Sequence, residues 1–393
     1  MPSTHPVFPP ELAESADPVN LRFSAGGRPV KRMSIRTLLI SALAPVITQG
    51  AMAEVVVGTC RPNLQAYTTI TQAVSTVGPG STILVCPGTY PEQITITQPL
   101  TLRGIQSENA ANPVVTVPSG GLTQSIVAPT NGVGMVFQVL VLGTESGLVN
   151  ISNIAVDGGN SGNGVGGWFA GIYYQNSSGA VRNVATYGQS GNGYGFGIFL
   201  EGTTPTAKTV TVSNSSVHDF DSEGIRTNGS HVPNLTVNIE SNLVISSTTF
   251  GGNPVYGEID VQGAVGSILN NQVITHPAPP GISAGVGIAG PSNMVVSNNM
   301  VVGTGIWLLG DSNTIKANRV SFGGGITISG HHNTVQYNST FGAGISFNCT
   351  GTLNTVTNNV INDSYWGILD DHGNNIISPN SFSNVTKLIS PPC

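Results

Sequence analysis

The sequence predicts an all-β fold: a single-stranded parallel β-helix, or solenoid, with a short N-terminal capping helix. Three observations carry this. Of 393 residues, 51 are Gly and only 8% are charged, a turn-rich and helix-poor composition. An Asn in a short apolar context recurs along the chain. A second word, Gly-Ile-x-apolar-x-Gly or close to it, follows most of those Asn.

The Asn are Asn153, Asn183, Asn214, Asn242, Asn271, Asn299, Asn318, Asn338, Asn359 and Asn380, at gaps of 30, 31, 28, 29, 28, 19, 20, 21 and 21 residues. The second word reads GIYYQN at 171, GIFLEG at 197, GIRTNG at 224, EIDVQG at 258 and GVGIAG at 285. It continues as GIWLLG at 305, GITISG at 325, GISFNC at 344 and GILDDH at 367. Apolar residues two apart mark a strand, and flanking Gly suits sharp turns. A short repeat of strands and turns cannot bury its own core and must stack on its neighbours. The repeated Asn are expected to form one structural ladder from coil to coil.

The first residues stand apart. Residues 1–32 are Pro-rich and patternless, and read as an N-terminal extension, with Met33 as an alternative start. Residues 33–53 read as a signal peptide: Lys31, Arg32 and Arg36 supply the basic region, TLLISALAPVI the apolar run, Ala51-Met52-Ala53 the cleavage site. Residues 54–104 hold the N-terminal cap and first coils, and 105–393 the β-helix repeats. In the cap, Ile70, Ala73, Val74 and Val77 share one helical face. Thr69 and Gln72 fit a capping box, and Gly78-Pro79 a stop.

Beyond Ala53 there are 8 Lys plus Arg and 16 Asp plus Glu. No basic patch invites nucleic acid, and no second apolar run suggests an anchor in the mature chain. Of the three pairings that four cysteines allow, two near the start and two near the end favour Cys60–Cys86 and Cys349–Cys393.

The chain resembles secreted bacterial right-handed parallel β-helix proteins of the pectin-lyase-like superfamily. YTTITQAVSTVGPGSTILVCPGTYPEQITI is similar to their entry region, and VNISNIAVDG and NSSVHDF to later coils. The resemblance implies the right-handed fold and export to the outside or the periplasm; the expected partner, read from the groove below, is a polysaccharide. A monomer is expected.

If Gly-Ile-x-apolar-x-Gly is a strand, its third and fifth residues form two outward columns. The third-position column runs Tyr173, Phe199, Arg226, Asp260, Gly287, Trp307. The fifth runs Gln175, Glu201, Asn228, Gln262, Ala289, Leu309. Together with the long connections of the first five coils, this predicts an open acidic groove centred on Arg226. Glu223, Arg226 and Asp260 are the candidate catalytic residues. Tyr173, Phe199, Glu201, Asn228, Gln262 and Trp307 are the candidate substrate contacts, the rings stacking on sugars. Glu201 and Asp260 are candidate ligands for Ca²⁺, the one cofactor considered.

The charged word HDFDSEGIR at 218–226 divides, with His218 and Asp219 in a solvated turn and Glu223 and Arg226 entering the groove. Arg226 could equally make only a surface pair with Glu201 or Asp260. Asp370, Asp371 and His372 read as an exposed end cap. Two chemistries remain for the groove, a Ca²⁺-assisted polysaccharide lyase and a glycoside hydrolase. The motifs of polygalacturonases, pectin methylesterases and pectate lyases are absent. A non-catalytic glycan-binding or cell-surface β-helix is the alternative.

Overall fold

A computed structural model describes residues 52–106, 112–144, 147–161, 167–190, 193–229, 234–246, 257–275, 284–290, 293–347, 351–370 and 374–389. Residues 1–51, which hold the N-terminal extension and the leader up to Ala51, and Cys349, Cys393, Asp371 and His372 lie outside these residues.

The described chain is a right-handed parallel β-helix with a triangular cross-section. One coil shows the plan: Lys208–Ser213, Ser216–His218 and Glu223–Gly229 are its three strands. Stacked coils build a 14-stranded sheet and a 23-stranded sheet, the latter folded over two walls. The strand pairs are parallel, except that Ser125–Val127 runs antiparallel to Gly134–Val136.

Inward side chains stack in register. Ile151, Val181, Val212, Ile239, Ile268, Val296, Ile315, Val335 and Val356 form one apolar column. Ile172, Ile198, Ile225, Ile259, Val286, Ile306, Ile326, Ile345 and Ile368 form a second. All are buried. At about 1.5–3 kcal/mol per buried aliphatic side chain, these columns are the main favourable term of the fold.

The Asn ladder differs from the expected one by a one-residue slip. Asn242, Asn271, Asn299, Asn318, Asn338 and Asn359 each reach the next amide below, Nδ2 to Oδ1 at 2.9–3.0 Å. The column ends at Asn380. Asn153, Asn183 and Asn214 instead occupy the preceding turn position, with φ of 57°, 52° and 52°. Asn tolerates left-handed backbone, which is why the same letter recurs in both slots. Above Asn242 the ladder slot belongs to Ser215, which donates its backbone N–H to Asn242 Oδ1 at 3.0 Å. A second ladder, Asn313, Asn333, Asn354 and Asn375, was not foreseen.

The capping helix is Ile70–Thr76, with Ile70, Ala73 and Val74 buried. Thr69 caps it, its side chain accepting from Gln72 N–H. The first helical N–H groups, of Ile70 and Thr71, donate to the two carboxylate oxygens of Glu92 at 2.8 Å each. At the other end Gln98 Nε2 donates to Val77 O at 2.6 Å. Both helix ends are thereby satisfied from the next coil, which pins the lid on the solenoid's open core. Cys60 and Cys86 form a disulfide, and Cys86 packs with Val56 and Leu84 of the first coils.

Candidate active site

The expected register holds. Arg226 pairs with Phe199 on one side and Asp260 on the other, followed by Gly287 and Trp307. The two outward columns therefore exist, but they do not form an open face along their whole length.

Their first coils lie beneath a strap. Residues 125–142 form a hairpin whose turn carries Thr130 out over the sheet. Thr130 donates its N–H to Glu201 Oε1 at 3.0 Å, and its hydroxyl to the same oxygen. Tyr173 hydroxyl and Gln175 Nε2 donate to Glu201 Oε2. Asn228 Nδ2 donates to Thr130 Oγ1, and Gln175 Nε2 to Val127 O at 3.3 Å. Four donors on one carboxylate make Glu201 the anchor of the strap. Burial and the adjacent Glu201 hold the Tyr173 hydroxyl far above its usual range.

This corrects two expectations. Tyr173 and Phe199 are fully buried, packed with Met135, Phe137, Leu140, Ala170 and Phe196 in a second apolar core under the strap. They offer no face to a sugar. Glu201 accepts two hydrogen bonds on each carboxylate oxygen, which leaves no lone pair for the Ca²⁺ expected there.

The charged centre lies just past the strap. Arg226 Nη1 is 2.7 Å from Glu223 Oε1 and 3.6 Å from Asp260 Oδ2. Arg226 Nη2 donates to Gln262 Oε1 at 3.3 Å, while Gln262 Nε2 donates to Asp260 Oδ2 at 2.8 Å. Ser222 hydroxyl donates to Glu223 Oε2. The guanidinium also lies 5.3 Å from the Trp168 ring and 5.8 Å from the Phe196 ring. Arg226 pairs with Glu223 and Asp260, not Glu201, and its pairs are buried rather than at the surface.

A third carboxyl, Glu258, joins this group. It fills the first position of its strand word and is 0% exposed. Neither of its oxygens has a hydrogen-bond partner in ordinary geometry. Burial pushes its carboxyl up to about 7, moderated by nearby Thr275 and Ser246 and reinforced by Glu223. Asp260 is likewise pushed up to about 7, by burial first, with Arg226 pulling down and Glu223 pushing up. Asp260 thus sits beside a guanidinium already paired with Glu223, and Glu258 lies on the Glu223 side of the cluster.

The other residues divide. Gln262 and Asn228 are half-buried at the mouth, and Trp307 is half-buried two coils away. His218 ends a strand, stacks flat on Tyr187 at 5.2 Å and pairs with Asp219 at 2.7 Å. Asp221 is buried and accepts from Gly193 N–H at 2.9 Å. Asp370, expected in an exposed end cap, is buried and accepts from Asn375 Nδ2 at 2.8 Å. Sequence reasoning missed Thr130, Trp168 and Phe196. Glu258 was legible, being two residues before Asp260 and so on the same side of the strand.

Comparisons with known proteins agree on the fold. A family profile described as periplasmic copper-binding protein (NosD) matches residues 258–390, about a third of the chain. No curated protein sequence matches. Among solved structures, the A-module of the Azotobacter vinelandii mannuronan C-5 epimerase AlgE6 is 13% identical, with TM-score 0.50, covering 82% of this chain and 94% of its own. The GH136 lacto-N-biosidase from Eubacterium ramulus is 13% identical, with TM-score 0.50, covering 84% of this chain and 68% of its own. Both likenesses concern the fold alone. Among the described residues no three His, Cys, Asp or Glu side chains are grouped to hold a metal ion. Among these residues no helix is long and apolar enough to cross a membrane.

Proposed function

We propose that the protein is an exported enzyme that binds a polysaccharide beside Arg226 and hydrolyses it, with Asp260 as proton donor and Glu223 as the second carboxylate. One observation carries this reading: two buried carboxyls, Glu223 and Asp260, flank one guanidinium, and a third, the buried Glu258, lies within electrostatic reach of Glu223. Such a cluster brings no stability that apolar residues would not supply better, since desolvation offsets the Coulomb gain. Carboxyls held near neutrality are what acid–base chemistry on a glycosidic oxygen requires. In this reading Asp260 protonates the leaving oxygen as the glycosidic bond breaks, and water bonds to the anomeric carbon while Glu223 takes up its proton. Arg226 fixes the charge of Glu223 and orients it. A guanidinium engaged in this way is a poor base, which favours hydrolysis over a lyase. The Cys60–Cys86 disulfide supports export to an oxidising compartment.

A second reading is a non-catalytic glycan-binding or cell-surface rod. The 2% exposure of Asp260 favours it, since a proton donor must reach substrate. One assay separates the two. The full chain is incubated with neutral and acidic polysaccharides, with and without Ca²⁺, following new reducing ends and the ultraviolet absorbance of unsaturated uronates. Ends without absorbance, lost in Asp260→Asn, support the hydrolase. Absorbance with ends means a lyase. Neither signal across the panel leaves the binding rod.

A further inference from the structure

We infer that the site takes the end of a glycan chain and not its interior; this rests on the polysaccharide reading above. The fifth-position column sets the direction. Gln175 and Glu201 are buried under the strap, Asn228, Gln262 and Ala289 are half-buried, and Leu309 is 36% exposed. The surface thus rises out from beneath the strap as the coils advance. In strand spacing, Asn228 to Leu309 is three rungs, about 14 Å.

At the buried end the path is blocked. Thr130 stands on the column itself, tied to Glu201 through its N–H and hydroxyl and to Asn228 through its Oγ1. Behind it, Tyr173 and Phe199 fill the parallel column with Met135, Phe137 and Leu140 of the strap. An extended polymer lying along the columns cannot continue past Asn228. The charged centre is one rung from this barrier: Gln262 borders Asn228 in register and hydrogen-bonds both Arg226 and Asp260. A sugar stopped against Thr130 and Asn228 therefore lies directly over Gln262, and only a chain terminus can do so. Gln262 is the residue through which the terminal sugar meets the acid cluster.

The test uses the full chain with polygalacturonate, alginate and a neutral galactan, each intact and partially depolymerised, compared at equal mass by calorimetric binding and by reducing-end release. End recognition makes the response rise in proportion to the number of chain ends. A response that follows mass and ignores ends overturns this inference while leaving the polysaccharide reading in place. No response to any probe overturns both. The double variant Thr130→Ala, Asn228→Ala, checked for an intact fold by near-ultraviolet circular dichroism, loosens the barrier. In it the intact polymers gain response relative to their fragments; an unchanged ratio counts against the strap as the stop.

Discussion

Arg226 and Asp260 face each other in register on adjacent strands, Nη1 to Oδ2 at 3.6 Å, yet the Asp260 carboxyl is held up near 7. Burial outweighs the attraction because the guanidinium is already committed to Glu223 at 2.7 Å. The cluster is therefore short of positive charge, and a proton supplies the difference.

Stability should follow that proton. Asp260 and Glu258 have folded-state values raised to about 7 from 3.8 and 4.5. The unfolded chain releases these protons first, so stability falls as pH rises between about 4.5 and 7. At roughly 1.4 kcal/mol per unit, each carboxyl taken alone accounts for a loss on the order of a few kcal/mol. Urea unfolding across this window measures it. Asp260→Asn should flatten the slope; an unchanged slope would mean that Asp260 does not carry the raised value.

Removing the cation should be severe. Arg226→Ala leaves Glu223 buried without its partner and is expected to cost about 3–5 kcal/mol. Combining it with Glu223→Gln should recover much of that loss. Chemical denaturation of the two singles and the double gives the coupling energy, and simple additivity would contradict the geometry.

The amide ladder sets a different expectation. Asn338 Nδ2 donates to Ile315 O and to Asn359 Oδ1, at 2.9 and 3.0 Å, and its own Oδ1 receives Asn318. Asn338→Ala strands those buried groups and should cost about 2–4 kcal/mol. Asn183→Ala, in the exposed turn slot, should lose the left-handed backbone preference and one exposed hydrogen bond, Nδ2 to Asn153 Oδ1 at 2.7 Å, about 1 kcal/mol in all. Paired thermal melts distinguish them, and equal losses would contradict the two-slot assignment.

The strap should depend on its anchor. Glu201→Ala removes the acceptor of Thr130, Tyr173 and Gln175 together. Hydrogen exchange at residues 125–134 should accelerate while the Asn242–Asn359 ladder stays protected. Acceleration throughout would mean that the strap is not a separable unit.

Much of this was legible in the sequence. The Gly-Ile-x-apolar-x-Gly word fixed register, so the adjacency of Arg226 and Asp260 and the inward column of Ile225 and Ile259 could be read from spacing alone. The capping helix was legible because its signals lie within a few residues of one another. The recurrence of Asn was legible, but its slot was not. Asn serves a left-handed turn and a buried ladder equally well, and only backbone geometry separates Asn214 from Asn242.

What tertiary structure alone decided is which outward residues see water. An alternating strand fixes the side of the sheet on which Tyr173, Phe199 and Glu201 stand, because that follows from backbone pleat. It says nothing of what lies over that side. Thr130 meets Glu201 across 71 residues and Asn228 across 98. No local pattern encodes such contacts; they exist because parallel stacking brings a hairpin from an early coil over later ones. The sequence by itself determined the solenoid, its register and the residues gathered around Arg226. The strap turned an expected open groove into a covered face with one closed end.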